Sequence, residues 1–174
     1  MKYLLIGTVI AGAYGLGAIQ RAEPETAAIL TPVSVAAVAD PDGIDLSEIY
    51  RVIRQVETGG HPDPANAVGD GGASLGPMQI GRLYFIDALE QDQALRDSEV
   101  VYDDVRNESI ARRVMYAYWS RYATIPWGAE DLFRLHNGGP SRGGSATDGY
   151  WEKCKTILQE IRTGDVEPRF LAIR

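Results

Sequence analysis

The chain has 174 residues, a formal net charge of −7, an apolar fraction of 45% and a single cysteine. This length holds one domain plus an extra segment, because a second core would need about 100 more residues. The acidic balance excludes the usual nucleic-acid binder, which clusters Lys and Arg on one face. The lone Cys154 excludes an internal disulfide and a cysteine-based zinc site, and its helical apolar setting predicts a small buried core residue.

The start of the chain indicates export. Lys2 precedes an uncharged stretch, residues 3–20, that is rich in small residues. Its length falls between that of a signal-peptide core and that of a spanning helix, so a cleaved signal peptide and a membrane anchor at residues 1–21 both stay open. We therefore expect an exported protein that is periplasmic, secreted or anchored in the inner membrane.

A linker and a helical domain follow this segment. Residues 22–43 combine prolines and an Asp-Gly turn signal with no sustained period, which is typical of a linker. In the folded domain, residues 44–174, apolar residues recur at helical spacing in five segments, at about 45–57, 77–90, 106–123, 128–136 and 147–163. The Gly-rich segment 59–76 has a hairpin turn signal. The sequence predicts a mainly α domain with one small β-hairpin after its first helix.

Two carboxylates in different settings suggest acid–base chemistry. Glu57 ends the first predicted helix, where the negative end of the helix dipole should raise its pKa and keep its proton available. Asp70 lies in a polar, Gly-rich segment that should leave it ionised. Such a pair is the pattern of glycoside hydrolysis. The alternative is that both are ordinary solvated groups among the 24 acidic residues of the chain.

Several motifs occur in the order seen in lysozyme-like proteins. VETGG at 56–60, GPMQI at 76–80 and HNGGP at 136–140 resemble the broad plan that bacterial lytic transglycosylases share. The finer resemblance is to invertebrate-type lysozymes, the destabilase family. It is carried by DGGASLGPMQI at 70–80, YFID at 84–87, RYA at 121–123, RLHNGGP at 134–140 and TDGYWEK at 147–153, and covers about 45–156.

The resemblance implies a lysozyme-like fold and a peptidoglycan-cleaving activity. A muramidase-type hydrolase would cut the β-1,4 bonds between N-acetylmuramic acid and N-acetylglucosamine in peptidoglycan or a related amino-sugar polysaccharide. Glu57 would be the general acid and Asp70 the second carboxylate, for which lysozyme itself is the reference example. Animal members of the family are rich in disulfides, which this chain cannot form. That departure suggests a bacterial or phage relative.

The resemblance also suggests which residues line a sugar groove. The candidates for substrate binding are Ser74, Gly76, Gln79, Tyr84, His136, Asn137 and Gly138. Gly76 would permit close backbone approach, and the amides of Gln79 and Asn137 would pair with the sugar, the latter with an acetamido group. Each has a structural alternative. Gly76-Pro77 could begin a helix, His136 could make a structural hydrogen bond at a helix end, and Tyr84, like Tyr150 and Trp151, could pack in the core.

Three other functions are compatible with the sequence. A lytic transglycosylase would use Glu57 alone and release anhydro sugars. A non-catalytic wall-binding module would keep the groove, although retention of Glu57 argues against it. The destabilase resemblance adds an isopeptidase, with Ser74 and His136 as nominal candidates. The sequence implies no metal or organic cofactor, because the His and Cys groupings of metal sites are missing, and we expect a monomer without a nucleic-acid partner.

Overall fold

The computed structural model describes residues 46–59, 61–123 and 127–164. The export segment predicted at residues 1–21 and the linker predicted at 22–43 lie outside the described residues. Within the described ranges, no helix combines the length and the apolar character that crossing a bilayer requires.

The described residues form six α-helices and a small sheet. The helices are α1 (Leu46–Thr58), α2 (Arg82–Gln91), α3 (Gln93–Asp97), α4 (Glu108–Tyr122), α5 (Ala129–Gly138) and α6 (Asp148–Thr163). The strands β1 (Val68–Gly69), β2 (Ser74–Leu75) and β3 (Ile80–Gly81) lie between α1 and α2 in an antiparallel sheet of order β1-β2-β3. Leu75 is opposite Val68 on one side and Ile80 on the other. The predicted mainly α class with a small antiparallel element after the first helix is confirmed.

The apolar stripe of α1 explains why this helix packs at the centre of the domain. Leu46, Ile49, Tyr50 and Ile53 recur at helical spacing and are all buried. Tyr50 stacks on Trp119 of α4, with ring centroids 5.4 Å apart. Helix α1 also packs against α5 and α6, while α2 packs against α4. The C-terminal end of α1 therefore faces residues from both α5 and α6.

The segment between β2 and α2 differs from the helix predicted to begin at about residue 77. Gly76 has a φ of 76° and Gln79 has a φ of 48°. The backbone N–H of Gln79 donates to the Gly76 carbonyl at 3.2 Å. These left-handed residues form a turn, after which Ile80 enters β3, and α2 begins only at Arg82. The alternative that Gly76-Pro77 begins a helix is thus wrong, and the predicted hairpin is a three-stranded sheet.

Candidate active site

Glu57 occupies the last turn of α1, where one oxygen of its carboxyl group meets residues from two other helices. The Tyr150 hydroxyl of α6 donates to Glu57 Oε1 at 2.7 Å. Nε2 of His136, at the end of α5, lies 3.6 Å from the same oxygen. The side chain of Glu57 is 21% exposed and that of His136 is 3% exposed. Glu57 is thus a partly buried carboxyl group that still reaches solvent.

The surroundings of Glu57 lower its pKa, contrary to the rise expected from the helix dipole. Burial raises the pKa, but the neighbouring His136 imidazole, the hydrogen bond from Tyr150 and the positive charge of Lys153 together outweigh it. These groups come from α5 and α6, so the sequence of α1 does not reveal them. The site without substrate therefore favours the ionised carboxylate.

Tyr150 and Cys154 lie one helical turn apart on the face of α6 that meets Glu57. Burial and the Glu57 charge raise the pKa of Tyr150 well above its usual range, so this residue remains a hydroxyl donor. Burial and Glu57 also raise the pKa of the Cys154 thiol to about 12. Cys154 is a fully buried free cysteine, which confirms the expectation of a small core residue.

Asp70 lies on a turn between β1 and β2. It begins a 3₁₀ turn, Asp70–Gly72, with a φ of 48°, a left-handed conformation that Asp tolerates better than most residues. The Ser74 hydroxyl donates to Asp70 Oδ2 at 3.0 Å, while the Asp70 side chain stays exposed. The predicted second carboxylate is therefore accessible to solvent and held by one hydrogen bond within the sheet.

Gly76 and Gln79 build the turn that leads to β3. Gln79 Nε2 donates to the Gly76 carbonyl at 2.8 Å, and its Oε1 covers Gly69, where an added Cβ would lie 2.1 Å away. A Cβ on Gly76 would lie 2.5 Å from the carbonyl oxygen of Val105. The close backbone approach at Gly76 is therefore that of Val105 of the same chain, and not that of a ligand. The Gln79 side chain links the turn to β1.

The aromatic candidate Tyr84 lies beneath the site. Its ring stacks on Tyr118 at 3.6 Å between centroids and meets the edge of His136 at 5.7 Å. Its hydroxyl is sealed from solvent. These contacts support the alternative that Tyr84 packs in the core, where its ring also packs against the imidazole of His136. Trp151 likewise packs on Phe133, with centroids 6.0 Å apart.

The end of α5 places its polar residues differently. Asn137 and Gly138 are both exposed, next to the buried His136 side chain. A Cβ on Gly138 would lie 2.5 Å from Cγ2 of Thr147, so this glycine allows the chain to approach α6 closely. Asn137 is the polar side chain of this segment that is exposed to solvent.

Ser74 and His136 do not form a nucleophile–base pair. Ser74 donates to Asp70, and the Nε2 atom of His136 faces Glu57. In the described ranges, no hydrogen bond joins the two residues. The same part of the chain contains no cluster of three or more His, Cys, Asp or Glu side chains that could hold a metal ion.

Tyr150 is the residue at this site that the sequence did not single out for catalysis. Its helical position suggested core packing or sugar stacking, and no local motif marks a tyrosine that will bond to a carboxyl group 93 positions away. Only the packing of α6 on α1 brings the two side chains together.

Two solved structures resemble the chain. Tapes japonica lysozyme is 26% identical with a TM-score of 0.51, over 73% of this chain and 94% of its own. The structure of Meretrix lusoria lysozyme in complex with Aeromonas hydrophila PliI gives the same identity and TM-score, over 63% and 88% of the respective chains. No protein-family model and no curated protein matches the chain. The similarity to these two invertebrate lysozymes, together with the small sheet after the first helix, shows that the chain has an invertebrate-type lysozyme fold.

Proposed function

We propose that the protein cleaves peptidoglycan as a muramidase-type glycoside hydrolase, with Glu57 as general acid and Asp70 as second carboxylate. The observation that carries this proposal is the carboxyl group of Glu57, which is largely buried at a helix end and held at one oxygen while still reaching solvent. A general acid needs this combination of fixed position and access. The lysozyme identity of both structural neighbours supports the same class of substrate.

The reaction would use the two carboxyl groups in different protonation states. Protonated Glu57 gives its proton to the glycosidic oxygen, and the bond from this oxygen to the anomeric carbon breaks, with its electron pair staying on the oxygen. Ionised Asp70 stabilises the positive charge that develops at the anomeric carbon, either across space or by forming a covalent bond. Water then supplies a hydroxyl group to that carbon and returns a proton to Glu57.

An exposed residue at the end of α5, next to His136, would contact the sugar. Asn137, which is exposed, would pair its amide with an acetamido group. Gly138, which is also exposed, would lie beside it at the groove surface. The other candidates would shape the groove from behind, because their side chains or backbones are engaged within the protein: Ser74, Gly76, Gln79, Tyr84 and His136. No metal or organic cofactor takes part in this scheme.

The central test is Glu57→Gln, which keeps the size of the side chain and removes the transferable proton. Release of sugars from purified peptidoglycan should fall at least about 100-fold, with the thermal unfolding transition still cooperative. Glu90→Gln is the matched control, because Glu90 is an exposed residue of α2 that pairs with Arg121 of α4 and not with the residues around Glu57. Activity near the wild-type level in Glu57→Gln would refute the assignment.

Analysis of the products and of peptidoglycan binding by the wild-type protein distinguishes the remaining functions. Mass spectrometry should find reducing-end sugars, since hydrolysis adds water, whereas a lytic transglycosylase would leave anhydro ends. A wild-type protein that sediments with peptidoglycan and releases neither product would be a wall-binding module. Cleavage of isopeptide-linked peptides that persists in Glu57→Gln would indicate the isopeptidase function.

A further inference from the structure

The two oxygens of the Glu57 carboxyl group have different surroundings. Oε1 accepts the hydrogen bond from Tyr150 and lies 3.6 Å from His136 Nε2. Oε2 makes no hydrogen bond within the described residues, and it is not among the polar atoms sealed from solvent there. We propose that Tyr150 and His136 are positioning residues that hold Oε1 as an acceptor, so that Glu57 gives its proton to the glycosidic oxygen from Oε2. This inference rests on the proposed function of Glu57.

A protonated carboxyl group has one carbonyl-type oxygen, which accepts hydrogen bonds, and one hydroxyl oxygen, which carries the proton. The Tyr150 hydroxyl stays protonated because burial and the Glu57 charge raise its pKa. It therefore donates to Oε1, which makes this oxygen the carbonyl-type one. The proton is left on Oε2, the oxygen that reaches solvent and hence substrate.

His136 supports this arrangement through its tautomer. Its Nδ1 atom is buried and has no hydrogen-bond partner within the described residues. A proton on Nδ1 would therefore be a buried, unpaired donor, which is costly. The neutral ring should carry its proton on Nε2 instead, and this atom faces Glu57 Oε1. At 3.6 Å a small movement closes the contact to hydrogen-bonding range.

Tyr84 of α2 packs against the His136 imidazole and holds its orientation. The ring of Tyr84 meets that of His136 edge-on at 5.7 Å, and Tyr84 is itself stacked on Tyr118. The titratable groups that face Glu57 are His136 from α5, and Tyr150, Lys153 and Cys154 from α6. Of these, only Tyr150 and His136 contact Oε1, so changes to them should affect the titration of Glu57 directly.

The first experiment compares Tyr150→Phe with Tyr122→Phe. Both changes remove a hydroxyl that donates to a carboxylate, but the carboxylate partner of Tyr122 is Asp87. The titration of Glu57 is followed by carboxyl ¹³C NMR, with Glu57→Gln identifying its signal, and kcat/KM is measured against pH. Loss of a donor to the ionised form should move the Glu57 inflection and the descending limb of kcat/KM to higher pH in Tyr150→Phe.

The maximal kcat of Tyr150→Phe should also fall, by up to about 100-fold, because the acid is no longer held in place. Tyr122→Phe should keep both the inflection and the limb of the wild type. A purely structural role for Tyr150 would lower stability without moving the inflection. An unchanged Glu57 inflection in folded Tyr150→Phe would therefore overturn the proposal.

The second experiment needs no variant that could fail to fold. The ¹⁵N shifts of the neutral His136 ring in the wild-type protein report its tautomer, and we expect the proton on Nε2. A proton on Nδ1 would overturn the role of His136.

A third experiment compares two variants of His136. His136→Gln, which keeps an N–H donor, should retain a higher kcat than His136→Ala. Equal losses of kcat in the two variants would count against the role of His136.

The outcomes also separate this inference from the proposed function. If Glu57→Gln is inactive while the Glu57 inflection in Tyr150→Phe is unchanged, the assignment of Glu57 as general acid is supported and the positioning role of Tyr150 is refuted. If Glu57→Gln remains active, the function falls, whatever the titration of Glu57 shows.

Discussion

The Thr58 hydroxyl lies 3.2 Å from the carbonyl oxygen of Pro77 and ties the residue after Glu57 to the turn before β3. The same hydroxyl lies 3.0 Å from the Arg54 carbonyl, one turn earlier in α1. Thr58 is buried, with 7% of its surface exposed, so water cannot easily replace either contact. The end of α1 is thus fixed against the sheet at the point where the proposed catalytic acid stands.

Thr58→Val should therefore destabilise the domain. Val has nearly the same shape but cannot donate, so a buried carbonyl loses its partner at a cost of about 1–2 kcal/mol. Urea unfolding should show a lower midpoint with an unchanged slope. Thr58→Ser, which keeps the hydroxyl, is the control and should lose less. Equal midpoints for Thr58→Val and the wild type would mean that the contact with Pro77 contributes nothing.

The lowered pKa of Glu57 predicts an enzyme that works best in acid. A general acid must be protonated, so kcat/KM should fall as pH rises through the pKa of Glu57 in the free enzyme. That pKa lies below its ordinary range because His136, Tyr150 and Lys153 outweigh the effect of burial. Lys153→Gln removes the positive charge of Lys153 and should shift the descending limb to higher pH. A limb that descends only near neutral pH in the wild type would contradict this prediction.

The helices could be predicted because their apolar residues recur at helical spacing. The first predicted helix, at about 45–57, corresponds to α1 (Leu46–Thr58), and the last, at about 147–163, corresponds to α6 (Asp148–Thr163). The short α3 was missed, since its five residues hold a single buried position, Leu95. Strand β3 was missed because two residues are too few to show a strand alternation.

The candidate site could be predicted only in part. Glu57, Asp70 and His136 were named from motifs, and the structure brings His136 to Glu57. The sequence predicted a raised pKa for Glu57, and this prediction was wrong. It considered the dipole of the first helix but not the hydrogen-bond donors that the packing of other helices brings to Glu57. The structure pairs Asp70 with Ser74, and the catalytic part of Asp70 stays a prediction.

Gly76→Ala should destabilise the domain more than Gly71→Ala. Both glycines have positive φ, so alanine would be strained at either position by about 1 kcal/mol. At Gly76 the new Cβ would also lie 2.5 Å from the Val105 carbonyl oxygen, whereas at Gly71 nothing lies within 4 Å. Urea unfolding should therefore show a clearly lower midpoint for Gly76→Ala. Matching midpoints would mean that the backbone at Val105 yields without cost.

Asp70→Asn distinguishes the two modes of glycan cleavage. In the hydrolytic scheme an ionised carboxylate must face the positive charge at the anomeric carbon, and Asn offers a dipole without the charge. The rate should fall by about 100-fold or more. The fold should persist, because Asn tolerates the left-handed φ of 48° and its amide oxygen can still accept from Ser74. Asp97→Asn, at an exposed carboxylate at the end of α3, is the matched control.

The products of Asp70→Asn then decide between the schemes. In lytic transglycosylation the muramic 6-hydroxyl attacks the anomeric carbon with Glu57 acting as base, so loss of the Asp70 charge should matter little. Full activity with anhydro products would therefore point to a transglycosylase. Full activity with reducing-end sugars would instead mean hydrolysis with a different second carboxylate. Only a large loss of rate in Asp70→Asn, with Asp97→Asn at the wild-type level, supports Asp70 as the residue that stabilises the charge Glu57 helps to create.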